Sequence, residues 1–338
     1  MKNRTELAAG FLERNGWGKA ERRILAADAS FRRYDRLFKG EETMVFMDAP
    51  PPMENVRPFV TVDRKMEANG YSVPHIFALD EENGFLLLED FGDSTYTRLL
   101  NAGENEESLY ALATDLLADL HSKPEKDVVP EGLPRYDAAA LMKEAMLFPD
   151  WFMPAAFGGQ TDKKVADEYA LLWEEVFPAA LDVPHTIVLR DYHVDNLMRL
   201  DGRDGVSACG LLDFQDALHG PVTYDVMSLT EDARRDISHE MFEKMQSRYL
   251  DAAGGLIPDK DKFLTSWAIL AAQRHAKVLG IFVRLCVRDG KPRYLCHLPR
   301  LWRLLERALE HPALGGLKLW FNKYIPPEKR GIPECLKK

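Results

Sequence analysis

The apolar pattern of this 338-residue chain changes period once, near residue 90, and that change limits the folds open to it. Before that point the apolar residues fall in short runs broken by turn residues. Arg23 to Ala27, Arg32 to Phe38 and Thr43 to Met47 read as strands, with Lys39-Gly40-Glu41-Glu42 turning between the last two. Leu7, Phe11 and Leu12 mark a short helix ahead of them, and Arg57 to Asn69 marks another that ends at Gly70. Asp48-Ala49-Pro50-Pro51-Pro52 is irregular, because prolines supply no backbone donors. Ile76 to Leu79 and Phe85 to Glu89 form a hairpin around Asp80-Glu81-Glu82-Asn83-Gly84. Beyond Glu89-Asp90-Phe91-Gly92-Asp93, Leu109, Leu112, Leu116 and Leu120 recur at helical spacing, as do Val165, Tyr169, Leu172 and Val176. The expectation is an α+β chain. Residues 1–90 form a small antiparallel-sheet unit, residues 93–338 a larger helical one, and 89–92 the hinge.

One β island interrupts the helical part. Thr186 to Leu189 is a short apolar strand; Leu197 to Leu200 and Cys209 to Leu212 flank a turn at Asp201-Gly202. The polar residues at the ends of these strands are Asp191, Asn196 and Asp213. An Asp, an Asn five residues later and an Asp-Phe after a short hairpin match the spacing of a phosphoryl-transfer site. Such chemistry needs an aligned acceptor hydroxyl and a metal that offsets the charge on the phosphate oxygens. Asp191 can accept the hydroxyl proton. Asn196 offers a neutral amide oxygen to Mg²⁺ without repelling phosphate, and Asp213 the anionic oxygen that a hard ion prefers. Alone, D-x-x-x-x-N is common and Asp213 would be read as a cap. The combination, delivered by apolar strands, points to catalysis.

The residues Leu189-Arg190-Asp191-Tyr192-His193-Val194-Asp195-Asn196 and Leu211-Leu212-Asp213-Phe214 resemble the aminoglycoside phosphotransferase superfamily. Its H-G-D-x-H-x-x-N loop is kept at Asp191, His193 and Asn196, while Leu189-Arg190 replaces the leading His-Gly. Its later D-P-x-x-D-L segment corresponds to Gly220-Pro221-Val222-Thr223-Tyr224-Asp225-Val226. The resemblance implies a two-lobed protein-kinase-like fold, ATP and Mg²⁺ as cofactors, and a loop-bracing role for Asp225; His193 is expected to hold the loop in shape by hydrogen bonding. A narrower resemblance spans nearly the whole chain, through Asp28-Ala29-Ser30-Phe31-Arg32-Arg33-Tyr34, Met47-Asp48-Ala49-Pro50-Pro51 and Gln273-Arg274-His275-Ala276-Lys277-Val278-Leu279-Gly280. These are similar to the bacterial anomeric kinases of N-acetylmuramate and N-acetylglucosamine. That implies an amino-sugar acceptor, a sugar 1-phosphate product and a place in peptidoglycan recycling.

The N-terminal part departs from the kinase pattern. It has no G-x-G-x-x-G, so the loop at Ser30 would cover the phosphates through backbone amides and its hydroxyl. The third strand, Met44-Val45-Phe46-Met47, has no lysine to grip them, and Arg32, Arg33 and Lys65 are the candidate replacements. The adenine edge is expected at the backbone of Glu89 and Phe91, although an ordinary strand end fits equally well. Arg274, Lys277, Ile281 and Arg284 fall on one helical face, either solvated or paired with nearby acids, or else turned toward an acceptor carboxylate; Arg234 carries the same readings. His121 reads as a helix-end residue without chemistry.

A net charge of −10 argues against nucleic acid and anionic membranes as partners. The charged N-terminus lacks a signal-peptide pattern and the four cysteines are scattered, so a cytoplasmic protein is expected. The missing lysine keeps a nucleotide-binding pseudokinase open as an alternative, beside a kinase of aminoglycosides or choline.

Overall fold

The computed structural model describes residues 3–27 and 31–337. The chain divides into two compact units. The first takes the residues up to Leu116 with Lys126–Pro130 and Val194–Ala217; the second takes Leu117–Glu125, Glu131–His193 and Leu218 onward. The contacts therefore do not follow a single cut near residue 90. The first unit recovers the segment 194–217 from far along the chain through backbone hydrogen bonds. Leu211 N–H donates to the Ser72 carbonyl and Arg199 N–H to that of Ser94, both at 2.8 Å, and Thr97 N–H donates to Val194 at 3.1 Å.

The expected α+β organisation is present. Five strands, β1 (Glu21–Ala27), β2 (Arg33–Lys39), β3 (Glu42–Asp48), β4 (Ile76–Asp80) and β5 (Phe85–Leu88), form an antiparallel sheet in the first unit. Its order is β1-β2-β3-β5-β4. The four later strands are short: β6 (His185–Val188), β7 (Leu197–Arg199), β8 (Cys209–Leu211) and β9 (Leu218–Pro221). β7 pairs with β8 in the first unit and β6 with β9 in the second, both antiparallel.

In the first unit, β3 and β5 are buried along consecutive residues, Val45 to Met47 and Phe85 to Leu88, so both faces of the sheet are covered there. On one face Phe11 of the helix Arg4–Arg14 meets Phe46 and Phe85 with ring centroids 5.5–6.0 Å apart. Burying each such ring contributes roughly 1.5–3 kcal/mol. The helix is started by a capping box in which Asn3 and Glu6 bond each other's backbone N–H. The helix Arg57–Ala68 has proline in its first turn and buries Phe59, which stacks on Phe214 at 4.9 Å.

The second unit is organised on the 28-residue helix Lys260–Val287, buried along most of its length and capped by Asp259. At Gly280 this helix crosses the chain so closely that a Cβ would lie 2.2 Å from the Leu147 carbonyl oxygen, which only glycine allows. The helix Lys163–Leu181 buries Tyr169, Trp173 and Phe177. The expected line through Val165, Leu172 and Val176 is only half-buried. The large aromatic rings, spaced four apart, outweigh the aliphatic line because they bury more area. Among the described residues no helix is long and apolar enough to cross a membrane.

His121, at the end of the helix Glu106–Ser122, is buried with Nδ1 2.6 Å from the Tyr249 hydroxyl oxygen. Burial pushes its imidazole down to about 3. Between that value and the ordinary 6.5 the unfolded chain binds a proton that the folded chain refuses. Stability is therefore full above pH 6.5 and falls with pH below it, by up to about 1.4 kcal/mol per unit. Urea midpoints measured from pH 7 to pH 4 are expected to drop less steeply in His121→Gln than in the parent; equal slopes refute the assignment.

Candidate active site

β6 ends at Val188 and the backbone turns sharply. Asp191 N–H donates to the Leu189 carbonyl at 2.9 Å, with Arg190 between them at φ 73°. A three-residue turn of that hand is rare and strained for a residue with a side chain. Asp225, on the helix Thr223–Thr230, holds it in place. Its carboxylate accepts Leu189 N–H at 2.6 Å and Arg190 N–H at 2.9 Å, and its side chain is buried. Burial pushes the Asp225 carboxyl up to about 7, against the two amide donors, which favour the ionised form.

The turn presents Asp191 to a group of cations in the same unit. Burial alone would raise its carboxyl, but Arg274 foremost, then His193, Lys277 and Arg190, hold it below the ordinary carboxylate range. Arg274 donates to the Tyr224 hydroxyl at 2.8 Å and to the Arg190 carbonyl at 3.3 Å. Lys277 lies 3.0 Å from Glu144 and 3.2 Å from the Tyr224 hydroxyl. The Arg190 guanidinium pairs with the same Glu144, to which the Tyr136 hydroxyl donates at 2.5 Å. Burial opposes ionisation of Glu144, yet Lys277 and Arg190 bring its carboxyl down to about 2.

Arg274 and Lys277 are thus no solvated face; both are buried. His193 is buried too, and burial, with Arg234 next, pushes its imidazole below the ordinary value. Arg234 lies 3.2 Å from the buried Asp232.

The other half of the motif belongs to the first unit. Antiparallel pairing of β7 with β8 brings the residue before the one strand level with those after the other. Leu212 N–H donates to the Asn196 carbonyl at 3.0 Å, and Asn196 Nδ2 stands 3.4 Å from Asp213 Oδ2. Asp213 is also left-handed, at φ 57°, and its side chain is 44% exposed while the next residue, Phe214, is buried against Phe59. Gln215 Nε2 donates to Asp213 Oδ1 at 2.7 Å, leaving its own Oε1 buried with no hydrogen-bond partner. Arg32 reaches the same carboxylate, with Nη2 4.0 Å from Asp213 Oδ1 and Nε 3.5 Å from Glu54 Oε2.

This donor set fits a hard divalent ion. One amide and one carboxylate stand side by side, the amide facing Asp213 through Nδ2, with the orphaned Gln215 Oε1 two residues after Asp213, and each of the three side chains has an oxygen to offer. Among the described residues no three His, Cys, Asp or Glu side chains converge on a point, so the rest of such an ion's shell would come from phosphate and water.

Just after β5, Glu89 N–H is committed to the His75 carbonyl at 2.9 Å, and the Glu89 carboxylate to Arg203. The Arg203 guanidinium lies 5.2 Å over the Phe91 ring. Gly210 makes room for that ring, since a Cβ there would meet it at 2.9 Å. Arg36 of β2 gathers the connector, with Asp90 at 2.8 Å, Asp93 at 3.1 Å and the Gly92 carbonyl at 2.8 Å. Ser30 lies outside the described residues.

Within the first unit, then, Arg32, Asn196 and Asp213 come together; within the second, Asp191, His193, Arg234, Arg274, Lys277 and Asp225 do. The sequence reading missed Glu144, Tyr224, Asp232, Glu54 and Arg36. Tyr224 lay in a segment already singled out. Glu144 gave no signal, because one glutamate in a helical pattern looks like solvated surface.

A model described as the phosphotransferase enzyme family matches residues 21–263. Over 310 residues the chain is 42% identical to an N-acetylmuramate/N-acetylglucosamine kinase of Pseudomonas aeruginosa, covering 89% of each chain. Over 354 residues it is 36% identical to a kinase of the same name from Caulobacter vibrioides, covering 95% of this chain and 97% of that one. Among solved structures, choline kinase LicA from Streptococcus pneumoniae aligns with a TM-score of 0.63 at 11% identity, over 90% of this chain and 100% of that chain. At that identity the likeness speaks for the fold alone. With a family match running from β1 into the long helix of the second unit, and relatives alike over nearly their full length, the chain belongs to the phosphotransferase enzyme family.

Proposed function

We propose that the protein transfers the γ-phosphoryl group of ATP to the anomeric hydroxyl of N-acetylmuramate or N-acetylglucosamine, giving the sugar 1-phosphate. The observation that carries the reading is the meeting of Asn196 and Asp213, 3.4 Å apart, with the braced Asp191 five positions before Asn196 in the chain. The names of the two relatives support the choice of acceptor.

Asp191 is the residue that receives the acceptor's O–H. Its cationic neighbours keep it ionised, so it orients the hydroxyl and takes the proton late, as the charge on the attacking oxygen falls. Asn196 and Asp213 would hold Mg²⁺, which when bound offsets negative charge on the phosphate oxygens. His193 and Asp225 keep the Asp191 turn in shape. Arg234, Arg274 and Lys277 line the acceptor side; they suit an uncharged sugar or one bearing a lactyl carboxylate and oppose a cationic aminoglycoside or choline. On the nucleotide side, with the Glu89 N–H already committed, the base edge would use the Glu89 carbonyl and the Phe91 N–H, while Ser30 and Arg32 would serve the phosphates. A hinge near 89–92 separating a nucleotide-binding part from an acceptor-binding part goes with this reading, as does work in the cytoplasm on sugars recovered from the cell wall.

Phosphorus NMR of the protein incubated with Mg-ATP and either sugar is expected to show a sugar 1-phosphate; turnover of another hydroxyl compound with neither sugar accepted would remove the substrate assignment. Asp191→Asn is expected to lower turnover by ~10²–10⁴-fold with melting temperature and nucleotide binding unchanged, the usual worth of a positioned base. Near-parental turnover would rule that role out. Asp225→Ala strands two buried N–H donors, so about 1–3 kcal/mol of stability and most of kcat should go together. A variant that loses neither refutes the bracing role.

A further inference from the structure

β3 cannot supply the cation that an ATP-using site needs on the phosphates. Val45, Phe46 and Met47 are 7%, 0% and 0% exposed, and the strand contains no lysine. Of the nearby cations, Arg33 is bonded to Asp35 at 2.9 Å and Lys65 to the Lys126 carbonyl at 2.8 Å. Arg36 is occupied by Asp90 and Asp93. Arg32 alone among these four is paired to the carboxylate at the metal-binding end of the hairpin, with its side chain 13% exposed.

Glu54 sits behind it. Its Oε1 accepts the Phe31 N–H at 3.0 Å, its Oε2 lies 3.5 Å from Arg32 Nε, and its side chain is 17% exposed. Glu54 is itself placed by its own N–H, bonded to the Pro50 carbonyl at 3.0 Å just ahead of the helix Arg57–Ala68. One carboxylate therefore fixes both the backbone at the mouth of β2 and the guanidinium next to it.

We infer that Arg32, aimed by Glu54, grips the α- and β-phosphates in place of the missing lysine, an inference that rests on the ATP-using reading above. A guanidinium 4.0 Å from Asp213 stands on the same side of the hairpin end as the carboxylate that would share an ion with the phosphates. Its planar fork binds two phosphate oxygens at once. Glu54 is a positioning residue: it touches no substrate and acts by holding the fork's direction.

Calorimetry in metal-free buffer, with ADP and adenosine as probes, separates the possibilities. Arg32→Gln is expected to weaken ADP by roughly 10–100-fold, the worth of a charged hydrogen-bonded contact, and to leave adenosine unchanged. Arg32→Lys should recover part of the loss. Glu54→Gln should raise the KM for ATP several-fold with a smaller fall in kcat, and Glu54→Asp should restore much of it. Equal ADP affinity in parent and Arg32→Gln overturns the inference, as does parallel weakening of ADP and adenosine, which would mean a merely structural role. A parent protein that binds neither probe, and no ATP once Mg²⁺ is restored, would instead overturn the ATP-using reading itself.

Discussion

A buried carboxylate holding two backbone N–H groups is the interaction on which the chemistry rests. Arg190 sits in a backbone region that residues with side chains avoid, and the cost of staying there is on the order of 1–3 kcal/mol. Asp225 offsets it by accepting the consecutive N–H groups of Leu189 and Arg190. The Arg190 side chain adds a second anchor by pairing with Glu144, so the turn is fixed from the backbone and from its guanidinium at once. With the turn fixed, Asp191 has one direction available.

Electrostatics then sets the protonation states. Glu144 neutralises the two cations it touches, Arg190 and Lys277, while Arg274 is left facing Tyr224 and the Asp191 turn. Removing Glu144 would leave buried positive charge with no partner, which is far more costly than losing a surface pair. The same accounting applies to His193, whose imidazole is pushed down first by burial and then by Arg234.

How much of this could be read in the sequence depended on whether the signal was local. Asp191, Asn196 and Asp213 stood out because each sits at the end of a short apolar strand, and strand pairing then puts Asn196 beside Asp213 without help from distant residues. The five-stranded sheet was legible for the same reason, its strands announced by short apolar runs and by the turns between them. What the sequence could not reveal was partnership across distance. Arg32 and Arg33 look alike in a row; in the fold Arg33 shares a strand face with Asp35, two residues on, and is bonded to it, whereas Arg32 precedes the strand and turns to Glu54 and Asp213. Arg274 and Lys277 fit a solvated face by spacing; in the fold Glu144, arriving from another helix, makes burying Lys277 tolerable, while the Tyr224 hydroxyl and the Arg190 carbonyl take Arg274.

The apolar β3 bears on how such a chain should be judged beside kinases that keep a lysine there. Val45, Phe46 and Met47 are wedged between coverings on both sides of the sheet, so an ammonium grafted onto any of them would have to leave water for an oily interior. The absence of that lysine is therefore a property of how this sheet is packed, and it says nothing of decay: a motif search that scores the strand as degenerate would be measuring the thickness of a hydrophobic layer.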